Sequence, residues 1–396
     1  MRRKLSGPSD TAHVTLSNRA IMLVAVAGGF LSLYATQAVG PAMRDDFGLS
    51  VREVSTLLTV TTVGLACAAP FSTLVVKRWG QRRTIVACLA LLTIAAACLS
   101  CIESYPAMLA VRAVQGVIIP FVLAALLASI ERHWPGRAAL HMSVAYVAGT
   151  IIGGVVGRLL PSVAVPALGW TAGMGTLALT HATILVAAAR YFPADPMLAP
   201  ALHEAASAAT TERHAVPSIA STAVAGFVLL FSQTAVYTYI AFRLADPPFA
   251  LPSSTIGLLY LAFLPALLFI GFSRHAVGRY GHSRALVGAV ILAWVGLALT
   301  LPPRLPAIAL GLATISIATF FAQAVLAHAV SINVSRSSQK AAGLYLFSYY
   351  LGGSFGAFTP SLLWTAAGWA GCILTVVLLQ LVAIVTMGIN RGVQIK

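Results

Sequence analysis

Charge is scarce in this chain. Of 396 residues only 10 are acidic and 25 basic, so charged side chains make up 9%, where a soluble globular chain carries about 25%. Such a composition excludes water as the main solvent. The acidic residues, Asp10, Asp45, Asp46, Glu53, Glu103, Glu131, Asp195, Glu204, Glu212 and Asp246, all fall in tails, in loops or at the ends of apolar runs. No run therefore carries a carboxylate at its centre. Cysteine is also sparse: Cys67, Cys88, Cys98, Cys101 and Cys372 lie in or beside apolar runs. Cys98 and Cys101 share a helix face, but no His or Cys at zinc spacing accompanies them, so they read as small packing residues and no metal or other cofactor is expected. There is no Gly-x4-Gly-Lys-Ser/Thr segment, which disfavours an ATP-driven pump, and no nucleophile–base–acid set of an enzyme.

What is abundant is apolar length. The hydrophobic set is 59% of the chain, and twelve runs are of the roughly 20 residues a helix needs to cross the hydrocarbon core. They centre near Val26, Val63, Leu92, Ile119, Ile151, Leu179, Leu230, Leu264, Leu292, Ala318, Leu351 and Leu378. The formal net charge of +15 raises nucleic acid as a partner, but position decides against it. With a cytoplasmic N-terminus, 19 of the 25 Lys and Arg fall in cytoplasmic tails and loops, and only Arg44, Arg52, Arg243 and Arg304 lie opposite. This is the positive-inside pattern, with both ends in the cytoplasm. The basic segment Met1–Ala20 leads into a run longer than that of a cleaved signal peptide, so it reads as a retained anchor.

The apolar runs come in two sets. Tyr146, Gly153, Gly154, Gly157, Pro161, Ser162, Gly169 and Trp170 recur 199 positions later as Tyr345, Gly352, Gly353, Gly356, Pro360, Ser361, Gly368 and Trp369. Arg78-Trp79-Gly80 returns as Arg279-Tyr280-Gly281. Two copies of a six-helix unit, both starting on the same side, make a parallel repeat about the membrane normal, and secondary transporters are often built this way. The expected fold is all-α and integral to the membrane: a cytoplasmic tail over 1–20, six-helix halves over 21–192 and 217–390, a linker over 193–216 and a tail over 391–396.

Three loci resemble the major facilitator superfamily. The first is the loop after the second run, where Arg78, Gly80, Arg82 and Arg83 match the family's Gly-x-Leu-Ala-Asp-Arg-x-Gly-Arg-Arg element. Lys77 replaces the Asp that locks the cytoplasmic side in the family, and Gly278 stands at that position in the second half. The second is Arg112-Ala113-Val114-Gln115-Gly116, similar to the family's Arg-x-x-Gln-Gly element. An arginine inside a span costs about 2.5 to 3.5 kcal/mol on insertion scales, so a buried partner or watery cavity must offset it. The third is Gly149-x3-Gly153-Gly154-x2-Gly157, similar to the glycine-rich element of efflux antiporters, although Gly154 replaces a Pro and Arg158 a later Gly. Small residues at this spacing let two helices approach and slide. They are read as a gating seam between the halves, together with Gly352, Gly353 and Gly356.

The resemblance implies a twelve-helix bacterial efflux-type transporter of the inner membrane, working by alternating access in the lipid bilayer, for which a monomer suffices, and exchanging a small organic solute for protons. A solute sensor of the same shape, or an organic-anion exchanger or facilitator without protons, are the alternatives. Helices one, four, seven and ten line the cavity in this fold. Gln37, Gln115, Gln233 and Gln323 fall one on each of them, and amides in hydrocarbon need partners, which favours a polar centre. Tyr34, Arg112, Tyr237, Phe321 and Tyr349 complete the expected substrate site, aromatic area plus orienting hydroxyls suiting sugars or amphipathic solutes. Coupling candidates are Arg112, Asp45, Asp46 and His328, while His181 reads as hydrogen-bonded packing. With no central carboxylate, neutral or anionic solutes rank above cations.

Overall fold

The computed structural model describes residues 16–134, 137–195, 217–337 and 339–394. Residues 1–15 of the expected N-tail, 196–216 of the linker and the last two residues lie outside that set, as do Asp10, Glu204 and Glu212. Every regular element among the described residues is helical. Among the described residues nine helices are long and apolar enough to cross a membrane, and a tenth crossing is the pair Ser253–Phe269 and Phe272–Tyr280, bent by 57°. One of the nine contains two spans. The helix Arg137–Tyr191 has 55 residues, about 80 Å at 1.5 Å per residue, far more than a core of about 30 Å can hold. It breaks at Gly169, φ 75° and ψ 170°. The helix Gln339–Phe358, 20 residues long, falls outside that set but packs along the spanning helix Ile219–Ala245, which brings the bundle among the described residues to twelve.

Gly169 and its repeat partner Gly368, φ 49°, mark the same turn in each half. A Cβ at either would touch nothing within 4 Å. Backbone conformation, not space, therefore demands glycine at both. The peripheral spans carry apolar side chains outward: Leu91 and Ile94 on the third, Leu179 and Val186 on the sixth, and Leu374, Leu378 and Val382 on the twelfth are all half or more exposed. Such a surface is stable only against hydrocarbon.

The first span is built in two pieces, Leu16–Leu31 and Ala35–Phe47. Across the break, contacts from Leu33 N to Phe30 O and from Gln37 N to Tyr34 O span three residues instead of four. This leaves the Leu33 carbonyl outside the helix ladder and Ser32 O with only a long contact from Ala35 N, 3.5 Å, so both are available to another partner.

The glycine row is a helix seam inside each half. Added Cβ atoms at Gly149, Gly153 and Gly157 would strike Leu23, Ala27 and Leu31 of the first span, and those at Gly352 and Gly356 would strike Phe227 and Phe231 of the seventh. Gly353 packs on Leu230 of the same seventh span. The expectation that these residues form the seam between halves is thus corrected: the close approach is between spans one and five and between spans seven and eleven. The halves themselves meet where spans one and seven, two and eleven, and five and eight pack together.

Candidate functional site

A cavity lies on the seam between the halves, bordered by residues of both. The first span contributes Phe30 and Tyr34, placed at its break, and the fifth contributes Thr150, Ile151, Gly154 and Arg158. The second half answers with Gln233, Phe263, Phe320 and Gln323, and with Tyr349 and Tyr350 of the eleventh span. Of the residues expected at the site, Tyr34, Gln233, Gln323, Tyr349 and Gly154 come together here.

Others lie one layer away. Gln37 donates through Nε2 to Thr238 Oγ1 at 2.8 Å, across the halves, and accepts from Arg158 Nε at 2.7 Å. Tyr237 turns its hydroxyl to the Leu312 carbonyl at 2.7 Å and to Ser316 Oγ, and its ring centre is 4.2 Å from that of Phe263. Phe321 packs instead into the core of the second half, near Leu326 and Tyr345.

The fourth span contributes none of these lining residues, contrary to expectation, and Arg112 shows why. It is fully buried and spends its guanidinium inside the first half. Nη1 donates to Ser32 O at 2.6 Å and to Gln115 Oε1 at 2.8 Å, and Nη2 donates to Leu33 O at 2.8 Å. The carbonyls freed by the break in the first span are thus the partners of the arginine in the fourth. His181 serves the same region, its ring nitrogens lying 2.9 Å from Leu177 O and 3.1 Å from Gly28 O.

The cation that does line the cavity is Arg158. Its sequence signal was present: it is one of only two arginines inside apolar runs, and it follows Gly154 at i+4, on a different helix face from Gly149, Gly153 and Gly157.

Beyond the cavity the halves are tied together. Arg44 at the end of the first span pairs with Asp246 at the end of the seventh at 2.9 Å, and with its neighbour Asp45 at 2.9 Å. The Arg52 guanidinium carbon sits 5.1 Å from the centre of the Phe358 ring, and Gly257 lies against Ser162. All these contacts are on the side away from the Arg78–Arg83 and Arg279–Arg284 loops, and they close that end of the seam.

The coupling candidates are outside the cavity. Asp45 and Asp46 are exposed at the end of the first span, and His328 stacks on His282 of the ninth span, with nitrogens 3.0 Å apart. At the basic end Arg78 is exposed, while Arg82 bonds through its side chain to Ala189 O at the end of the sixth span. An acid stands near the position Lys77 left without one: Asp195 Oδ1 accepts from Arg82 N at 3.1 Å and lies against Gly80. That pairing joins residues 113 positions apart and had no sequence signal.

A model of the Major Facilitator Superfamily matches residues 22–357. Curated relatives include an uncharacterised transporter of that type, YybF of Bacillus subtilis, 26% identical with 92% of each chain covered. The Escherichia coli inner membrane transport protein YnfM is 27% identical, covering 90% of this chain and 86% of its own. Among solved structures, the nucleoside transporter NupG superposes with a TM-score of 0.70 at 13% identity, covering 93% of this chain and 98% of that one. A bacterial homologue of the human lysosomal transporter Spinster, in an inward-facing and unoccupied conformation, gives 0.71 at 14%, covering 95% and 98%.

Proposed function

From the premise that this chain belongs to the Major Facilitator Superfamily, we propose that it is a secondary transporter exporting a small organic solute across a bacterial inner membrane by alternating access. One observation carries this reading. The cavity lies between the two halves, and at one end they are joined by the Arg44–Asp246 pair and by an apolar cluster in which Ala38, Val54, Ile151 and Val155 of the first half pack with Phe231, Phe242 and Ile256 of the second. Opening that end parts Arg44 from Asp246, Gln37 from Thr238 and the apolar cluster shared by the halves, while the helix pairs inside each half, spans one with five and seven with eleven, stay packed. By the positive-inside rule the basic end and both termini are cytoplasmic. The cavity then faces inward, the loading position for export. Each chain contains a complete cavity, so a monomer suffices.

Proton exchange is supported by the likeness of the fifth span to the antiporter element. Asp45 and Asp46 at the sealed end and His328 at the basic end are the groups through which it would act. A second reading, exchange of organic anions without protons, is favoured by Arg158, since the residues lining the cavity include no carboxylate.

Counterflow in proteoliposomes separates transport from sensing. Labelled benzoate, glucose and tetraphenylphosphonium are offered to vesicles preloaded with the same unlabelled compound. Preload-dependent uptake of at least one is expected, and an imposed pH gradient should change its rate if protons are exchanged. Saturable binding to the purified protein with no counterflow would make the protein a sensor.

A further inference from the structure

Arg158 is 2% exposed, and its protein partners solvate it without neutralising it. Nε donates to Gln37 Oε1 at 2.7 Å and Nη1 to Gly154 O at 2.6 Å. The guanidinium carbon lies 4.3 Å from the Tyr34 ring centre and 5.0 Å from those of Tyr260 and Phe263. Ring faces attract a cation through their quadrupole but carry no net charge. Among the described residues the ion pairs are those of Arg44 with Asp45 and Asp246, so the charge of Arg158 stays uncompensated in a low-dielectric site. Nη2 makes no hydrogen bond among the described residues, and Arg158 borders the cavity. Gln233, Gln323, Tyr349 and Tyr350 also border it, and their side-chain polar atoms make no protein hydrogen bond among the described residues.

We infer that Arg158 binds the acidic group of the substrate, and that the substrate class is a monoanionic organic acid with a flat apolar body. One uncompensated cation matches one carboxylate. Nη2 is the donor for that carboxylate, and a charge-assisted bond of this kind is short and directional. Phe30 and Phe320, which border the same cavity, supply apolar area for the body while the Gln amides and Tyr hydroxyls orient any further polar group. A cationic solute of the same size meets the field of Arg158 with no counter-charge and is excluded. Gln37 gives the site a mechanical link, since the same amide that holds Arg158 reaches Thr238 in the seal.

The inference rests on the transport reading for its biological sense, but its test does not. Binding of benzoate, benzamide and benzylamine to the purified detergent-solubilised protein compares one ring carrying negative, neutral and positive charge. Benzoate is expected to bind about tenfold or more tighter than benzamide, with benzylamine weakest. In Arg158→Gln the benzoate preference should fall to about parity, and Arg158→Lys should retain part of it. Benzylamine binding as tightly as benzoate, no benzoate binding at millimolar concentration, or an undiminished preference in Arg158→Gln overturns the assignment. Should Arg158→Gln not fold, the wild-type charge series still decides. Benzoate preference without counterflow keeps the anion site and removes transport. Counterflow of benzylamine without benzoate preference keeps transport and removes the anion site.

Discussion

Arg112→Leu is expected to cost the protein on the order of 3 kcal/mol or more of stability, enough to cut the yield of folded material. The substitution leaves Leu33 O and Gln115 Oε1 without their donor and Ser32 O with only the long contact from Ala35 N at 3.5 Å. An orphaned buried acceptor costs about 1–3 kcal/mol. Leucine removes the desolvated charge, which offsets part of the loss, but it cannot satisfy carbonyls turned out of a broken helix. Arg112→Lys should recover only a fraction, because one ammonium cannot reproduce a fork that reaches three acceptors. Thermal or denaturant unfolding in detergent checks this directly. A stable, well-packed Arg112→Leu that has lost only transport would instead return Arg112 to the substrate or coupling role expected from its motif. The structure gives that motif a local purpose: the fourth span pins the break of the first, and the break is where Phe30 and Tyr34 enter the cavity.

Gly153→Leu should prevent folding or cost more than 3 kcal/mol, while its neighbour Gly154→Ala should change stability by only about 0.5 kcal/mol or less. A Cβ at position 153 would lie 2.6 Å from Ala27 Cα and 2.9 Å from its carbonyl carbon. Both are backbone atoms that cannot rotate away. At position 154 the nearest atom is Arg158 Nη1 at 3.2 Å, the far end of a long side chain that can shift while keeping its bond to Gly154 O. The two substitutions therefore separate packing from solute handling: the Gly154→Ala protein should fold normally but bind solute differently. Parallel measurement of expression, unfolding and ligand binding for both variants is the check. A Gly153→Leu protein of wild-type stability would show that spans one and five do not approach this closely. Gly352→Leu, facing Phe227 Cα at 2.7 Å, should repeat the first result in the second half.

The architecture was legible because its signals are long or repeated. Twelve apolar runs and glycine landmarks 199 residues apart survive averaging, and the Gly169 and Gly368 turns fall at matched positions of the two copies. The cavity was legible in part. Tyr34, Gln233, Gln323 and Tyr349 were reached by asking which helices face the centre. The rest depended on direction, which composition does not carry. Arg112 and Arg158 are both arginines in apolar runs, but one bends into its own half and the other points to the seam. The same problem affected the glycine row, since a small-residue stripe shows that something packs closely without saying what. Asp195 illustrates the opposite limit: its partner Arg82 lies 113 residues away, and no local pattern joins them.

The most direct test of alternating access is whether one cavity residue can be reached from both sides. Thr150, on the cavity wall of the fifth span, is replaced by cysteine in a background freed of Cys67, Cys88, Cys98, Cys101 and Cys372, then exposed to a membrane-impermeant maleimide in vesicles of either orientation. The account predicts fast labelling from the basic-loop side and slow labelling from the other. Adding Arg44→Ala, which removes the inter-half pair with Asp246, should raise labelling from the sealed side several-fold, since a partly exposed pair contributes roughly 1 kcal/mol or less. Labelling from one side alone, unchanged by Arg44→Ala, would contradict a rocking mechanism and leave a fixed pocket.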